Sequence, residues 1–204
     1  MTITCIKRKK GKYYSVFLDD DFLGLFHEDI LATFKIEQGG SYSNEQIENL
    51  KSAGEIKFAK DRALFLLGYR DHSKKELIDK LCKNVSKGVA NSTADKMEEL
   101  GLIDDFKYAK NLAKKLILVK GRGKRRVLWE ITTKGIDQKI ALEAIDAIEV
   151  DTVDQIISII NKKYLNKICD INSRQKVFLS LARQGHSFDD INKAIDILSK
   201  QLNE

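Results

Sequence analysis

The sequence predicts a mainly α-helical protein, an elongated tandem array of three three-helix units behind a small N-terminal antiparallel β-hairpin or meander. Three observations carry that expectation. Proline is absent, where about 5% would be usual. The apolar period changes from two to that of a helix near residue 43. A pattern then recurs every 50 residues through the helical part.

Residues 2–9, 12–18 and 22–27 read as short strands, enriched in Thr, Ile, Tyr, Val and Phe. Gly11 separates the first two, and Asp19–Asp21 the last two. The basic run Lys7–Lys12 then falls at a hairpin tip, where charge is ordinarily just solvated. Gly39 and Gly40 close the segment. Ser43 with Gln46 three residues later is a capping-box start for the first helix.

Glu76–Leu81, Arg126–Ile131 and Lys176–Leu181 align without a gap at the 50-residue period. Ser73, Gly123 and Ser173 precede them as N-cap types. Upstream, Ala63 matches Ala113 and Leu66 matches Leu116. Downstream, Lys134-Gly135 matches Gln184-Gly185, and Asp137 matches Ser187 as the next cap. Apolar residues at i, i+3, i+4 and i+7, as in Ala141, Ala144, Ile145 and Ile148, face a core. The expected division is residues 1–42 as the β segment and 43–104 as a linker helix with the first unit. Residues 105–150 and 151–204 are the second and third units.

Composition narrows the function classes. The chain has 204 residues, 36 basic and 30 acidic, with 43% apolar. That balance excludes disorder throughout. No apolar run reaches the length of a membrane span, and the first ten residues lack the order of a signal peptide. A cytoplasmic protein is expected. Cys5, Cys82 and Cys169 are far apart and read as reduced structural thiols.

The charge is unevenly placed. Residues 107–139 hold eleven basic residues against two acidic ones, so the rest of the chain is net negative. Three of the eight arginines lie in 122–126, and arginine is the better fork for phosphate or carboxylate. The sharpest feature is KGRGKRR, residues 120–126, at the turn into the second helix of the second unit. Amides at a helix start attract anions, and cations placed there oppose the helix dipole and need compensation. A phosphate backbone and an acidic protein groove both fit as partners. The turn is not a GxxxxGK[ST] phosphate loop. The equivalent turn of the first unit, Arg70–Glu76, adds Arg70, Lys74 and Lys75.

Other residues read as structural. His27, His72 and His186 are scattered, with no paired nucleophile and no metal set. Asp104 and Asp105 suggest a carboxylate pair, but an N-cap with first-turn charge is the better account, with Phe106 and Ala109 on the packed face. Trp129 reads as packing between units, with stacking on a base as the alternative.

Three motifs with the repeat resemble the RecX family, regulators of the RecA recombinase. The first-unit pattern appears as Ala63-Leu64 and Tyr69–Leu81. The joint between the first two units appears as Gly101–Ala109. The second-unit pattern appears as Gly123–Ile131 with Lys134–Ile136. The resemblance spans about Ala59 to Glu204, and the β segment resembles the extension of Gram-positive-type members. Lys124 stands where the family often has proline, and the third unit keeps the helical pattern but little of the motif.

The resemblance implies a non-enzymatic negative regulator of RecA in DNA repair, recombination and the SOS response. Such proteins bind the groove of the RecA–DNA filament, block its extension and lower ATPase, strand-exchange and coprotease activity. The expected basic face is Arg70, Lys74, Lys75, Lys120, Arg122, Lys124, Arg125 and Arg126, with Lys114 and Lys115 as weaker members. Expected partners are the RecA filament and single- and double-stranded DNA. No membrane, cofactor or metal is expected, and the chain itself is expected to be a monomer. The alternative is a stand-alone helix-turn-helix-like DNA-binding protein of architectural or regulatory role.

Overall fold

A computed structural model describes residues 1–164 and 171–201. Strands β1 (Ile3–Arg8), β2 (Tyr13–Leu18) and β3 (Asp21–His27) form an antiparallel meander in the order β1-β2-β3. Asp19 and Asp20 both take positive φ, 46° and 72°, the backbone twist that a two-residue hairpin turn demands. The Asp19 carboxylate accepts the Thr2 amide at 2.8 Å and so fixes that turn. A short helix, α1 (Glu28–Thr33), follows at once, with His27 Nδ1 accepting the Asp29 amide. Six residues are too few to display a helical period, so this helix leaves no mark in the apolar pattern.

Helix α2 (Asn44–Tyr69) starts from the expected capping box: the Ser43 amide donates to Gln46 Oε1 at 2.8 Å, and the Gln46 amide to Ser43 Oγ at 3.2 Å. It runs unbroken for 26 residues, so the linker helix and the first helix of the first unit are one element. Gly54 lies within it because the Phe26 ring packs there; a Cβ would stand 2.6 Å from the ring. Helices α3 (Lys74–Leu81) and α4 (Lys87–Glu99) follow.

Next come α5 (Asp105–Lys114), α6 (Lys124–Thr132) and α7 (Gln138–Asp146), then α8 (Thr152–Lys163), α9 (Ile171–Arg183) and α10 (Phe188–Gln201). The Asp104 carboxylate accepts the Lys107 amide and Asp137 the Lys139 amide, so both cap helices as expected. Ser173 does not, because α9 already begins at Ile171. Phe106 lies at the surface rather than on the packed face, whereas Ala109 is fully buried. Cys169 lies outside the described residues.

The chain divides into two compact units. The first holds Met1–His72 and Glu76–Ile103; the second holds Ser73–Lys75 and the described residues from Asp104 onward. The first has one apolar cluster around Ile3, Val16, Phe26, Ile47 and Leu50 and another around Ala59, Ala63, Leu77, Leu81 and Ala94. In the second, α5, α6 and α7 enclose Ala109, Ala113, Val127, Ile131 and Ala144, while α8, α9 and α10 enclose Ile156, Ile160, Leu181, Ile191 and Ala194. Alanines at the contact positions let the helix backbones approach closely. Among the described residues, no helix is long and apolar enough to cross a membrane.

Candidate functional site

The basic turn is built by a change of helical pitch. After Lys114, α5 widens into a π-turn over Lys115–Val119, in which the Lys120 amide donates to the Lys115 carbonyl at 3.2 Å. The wider turn lets the adjacent Leu116 and Ile117 both face the core. At its end the Ile117 carbonyl accepts both the Gly121 amide at 3.1 Å and Gln155 Nε2 of α8 at 2.6 Å. Gly121, at φ 61°, then reverses the chain, and its carbonyl accepts His186 Nε2–H at 3.1 Å.

Helix α6 begins against the turn between α9 and α10. The Gly123 amide donates to the Gln184 carbonyl at 3.0 Å and the Arg125 amide to the Gly185 carbonyl at 3.2 Å. Any Cβ on Gly123 would collide with the backbone of Gly185 and His186. Of the amides at this helix start, those of Gly123 and Arg125 are therefore occupied by carbonyls of the same chain. KGRGKRR is a backbone joint, neither a loose loop nor an empty anion cradle. A related arrangement occurs 50 residues earlier, also inside the second compact unit. There Ser73 Oγ donates to the Lys134 carbonyl at 2.6 Å, and the Lys75 stem lies where a Cβ of Gly135 would be.

His186 is 2% exposed. Burial is the largest cause of a pKa below the ordinary histidine value, and Arg122 pushes in the same direction. At neutral pH the ring is uncharged and carries its proton on Nε2, toward Gly121. His72 is similar: it is buried, its pKa is lowered first by burial, and Nδ1–H donates to the Arg70 carbonyl at 2.8 Å. Gln155, Gly185 and His186 carry the joint, yet only the recurrence of Gly135 as Gly185 hinted at it in the sequence.

The ten expected cations separate by what holds them. Arg70 belongs to the first compact unit, where it meets Glu76 at 3.4 Å. The other nine belong to the second. Lys74 and Lys75 sit at the Ser73–Lys75 contact, with the Lys74 amide donating to Asp105 Oδ1 at 2.9 Å. Lys124 pairs with Asp146 at 2.9 Å and Arg126 with Glu130 at 3.0 Å. Among the described residues, Lys114, Lys115, Lys120, Arg122 and Arg125 have no carboxylate in ion-pairing range. Lys114, Lys115, Lys120 and Arg125 are exposed, while Arg122 is half-buried with Nε lacking a partner.

Trp129 is 54% exposed, so it does not pack between units as the sequence suggested. Arg126 lies over its ring, 4.3 Å from the centroid. Next to Arg125, a shallow cleft is lined by Leu179, Ala182, Arg183 and Phe188. Among the described residues, no three His, Cys, Asp or Glu side chains gather as a metal site would need. What these residues offer is exposed positive charge together with an exposed aromatic ring.

Comparisons with known proteins bear on its role. Residues 59–97 match the family model for the first three-helix domain of RecX. The regulatory protein RecX of Clostridioides difficile is 23% identical over 98% of this chain and 96% of its own length. That of Bacillus subtilis is 26% identical over 97% of this chain and 76% of its own. A crystal structure of regulatory protein RecX superposes with a TM-score of 0.70 at 20% identity, covering 96% of this chain and 98% of that one. RecX from Lactobacillus salivarius gives 0.67 at 26% identity, covering 72% of this chain and 98% of its own.

Proposed function

The chain belongs to the RecX family of regulatory proteins, and on that premise we propose that it is a non-enzymatic negative regulator of the RecA recombinase. It binds in the groove of the RecA–DNA filament through its cationic face, blocks extension, and thereby lowers ATPase, strand-exchange and coprotease activity. The observation carrying this reading is the set of five cations left without a carboxylate in the second compact unit. Of these, Lys120, Arg122 and Arg125 gather near the start of α6, where like positive charges are unfavourable by themselves, and a polyanion relieves that cost. The backbone joint holds the turn bearing Lys120, Arg122 and Arg125 in one shape, so the surface is organised before the partner arrives.

The test is the DNA-dependent ATPase of a cognate RecA, with DNA in excess and ionic strength near physiological, as this protein is titrated in. Inhibition well below stoichiometric amounts is expected. The Lys114→Ala, Lys115→Ala, Lys120→Ala, Arg125→Ala quadruple variant is expected to fold and to lose most of it. No inhibition by the unaltered protein at any ratio, alongside tight binding to bare DNA, would replace the reading with a stand-alone DNA-binding protein. Salt separates the two further: log affinity for bare DNA falls steeply with log salt, whereas filament binding persists once bare-DNA binding is lost.

A further inference from the structure

Trp129 is the chain's single tryptophan. It remains 54% exposed although the Arg126 guanidinium lies 4.3 Å from its centroid. The equivalent positions at the 50-residue period are Asp79 and Leu179, both exposed, so this helix position faces solvent in all three repeats. The only aromatic residue among the three is the one beside the uncompensated cations. A tryptophan serving the fold would bury most of its large apolar surface; this one leaves about half of its surface in water.

We infer that Trp129 is a stacking platform for a base of single-stranded nucleic acid, with Arg125, Arg122 and Lys120 taking the flanking phosphates. This rests on the nucleic-acid part of the function proposed above and names the residue that meets the base.

Two physical arguments favour that occupant over a protein. Protein interface cores are depleted of lysine, though not of arginine, around their aromatic anchors, whereas nucleic-acid interfaces are strongly positive and use both. Here Trp129 stands on the same helix as Lys124, Arg125 and Arg126, with Lys120 and Arg122 in the turn before it. Arg125 is one helical turn from Trp129 and on the same side. Further, Arg126 Nε is held by Glu130 at 3.0 Å, which keeps the guanidinium on the indole. A guanidinium over an indole gives a base a flat, cationic surface, and such stacking tolerates any sequence because every base has a π-face. Duplex DNA keeps its bases stacked internally and offers no such face.

Because Trp129 is the only tryptophan, its fluorescence reports on the site directly. The probe is an oligo-dT strand, titrated into the full-length protein without recombinase at moderate salt. Emission is expected to be quenched in parallel with binding measured by anisotropy of a labelled strand. A duplex of equal length is expected to bind with little quenching. Trp129→Ala is expected to weaken oligo-dT binding roughly 5- to 160-fold, the span of one lost base–aromatic stack, while Trp129→Phe keeps most of it. Far-UV circular dichroism checks that each variant is folded, which an exposed position favours.

Binding of oligo-dT without quenching overturns the inference, as does equal quenching by the duplex or unchanged affinity of Trp129→Ala. Quenching by RecA protein but not by oligo-dT assigns the surface to a protein partner and equally overturns it. These outcomes are independent of the ATPase titration: the filament reading fails if the unaltered protein does not inhibit RecA, whatever Trp129 does with DNA.

Discussion

Replacing Gly123 with alanine isolates the joint beneath the basic turn. Its backbone, at φ −73° and ψ 156°, suits any residue. On local conformation alone, alanine would stabilise by about 0.4–1 kcal/mol, because it restricts the unfolded chain. Packing predicts the opposite sign. The new Cβ collides with the Gly185–His186 backbone and forces apart the bonds from the Gly123 and Arg125 amides to Gln184 and Gly185. Each bond is worth roughly 1 kcal/mol net, and a buried group left unpaired costs about 1–3 kcal/mol more. A net loss of about 2–4 kcal/mol is expected, which lowers Tm by about 5–15 °C at this chain length. The assay is urea and thermal unfolding followed by far-UV circular dichroism. Gly88→Ala is the control: it lies in α4 with open space around it, and a small gain is expected. A Gly123→Ala loss below about 0.5 kcal/mol, or any gain, would refute the reasoning.

Other outcomes follow from the same geometry. Ser43→Ala removes the side-chain half of the capping box, the Oγ that accepts the Gln46 amide, and should cost about 1 kcal/mol in urea unfolding. Lys124→Pro should be tolerated, changing stability by no more than about 1 kcal/mol, because Lys124 is the first residue of α6 and its ion pair with Asp146 is exposed. His186 and His72 have folded pKa values below the ordinary 6.5. Between the folded pKa and 6.5 the unfolded chain therefore binds more protons, and stability rises with pH across that window and levels off above it. The urea midpoint should drop from pH 7.5 to pH 5.5, and His186→Gln, which still offers a donor to Gly121, should flatten part of that drop.

Local rules made much of the fold legible. The capping box at Ser43, the caps at Asp104 and Asp137 and the three strands follow from residue types at short spacing. The features that escaped are long-range or too short. Helix α1 has six residues, and the π-turn depends on Leu116 and Ile117 both finding a core supplied elsewhere. In the candidate site, the cluster of charge was visible but its pairing was not. Which of Lys124, Arg125 and Arg126 meets a carboxylate depends on Asp146 and Glu130 lying in reach after folding. The exposure of Trp129 departs from the expected packing because apolar character alone does not reveal which side of a helix faces water.

The joint is made mostly from main-chain atoms: the amides of Gly123 and Arg125 and the carbonyls of Ile117, Gly121, Gln184 and Gly185. Mutation cannot delete a main-chain amide except through proline. Such a hinge imposes a small toll on heredity, chiefly two glycines and a few side-chain donors, and leaves the neighbouring surfaces free to drift. A last segment that keeps the helical pattern but little of the motif is thus still held in register with the one before it, by atoms that its side-chain sequence does not dictate.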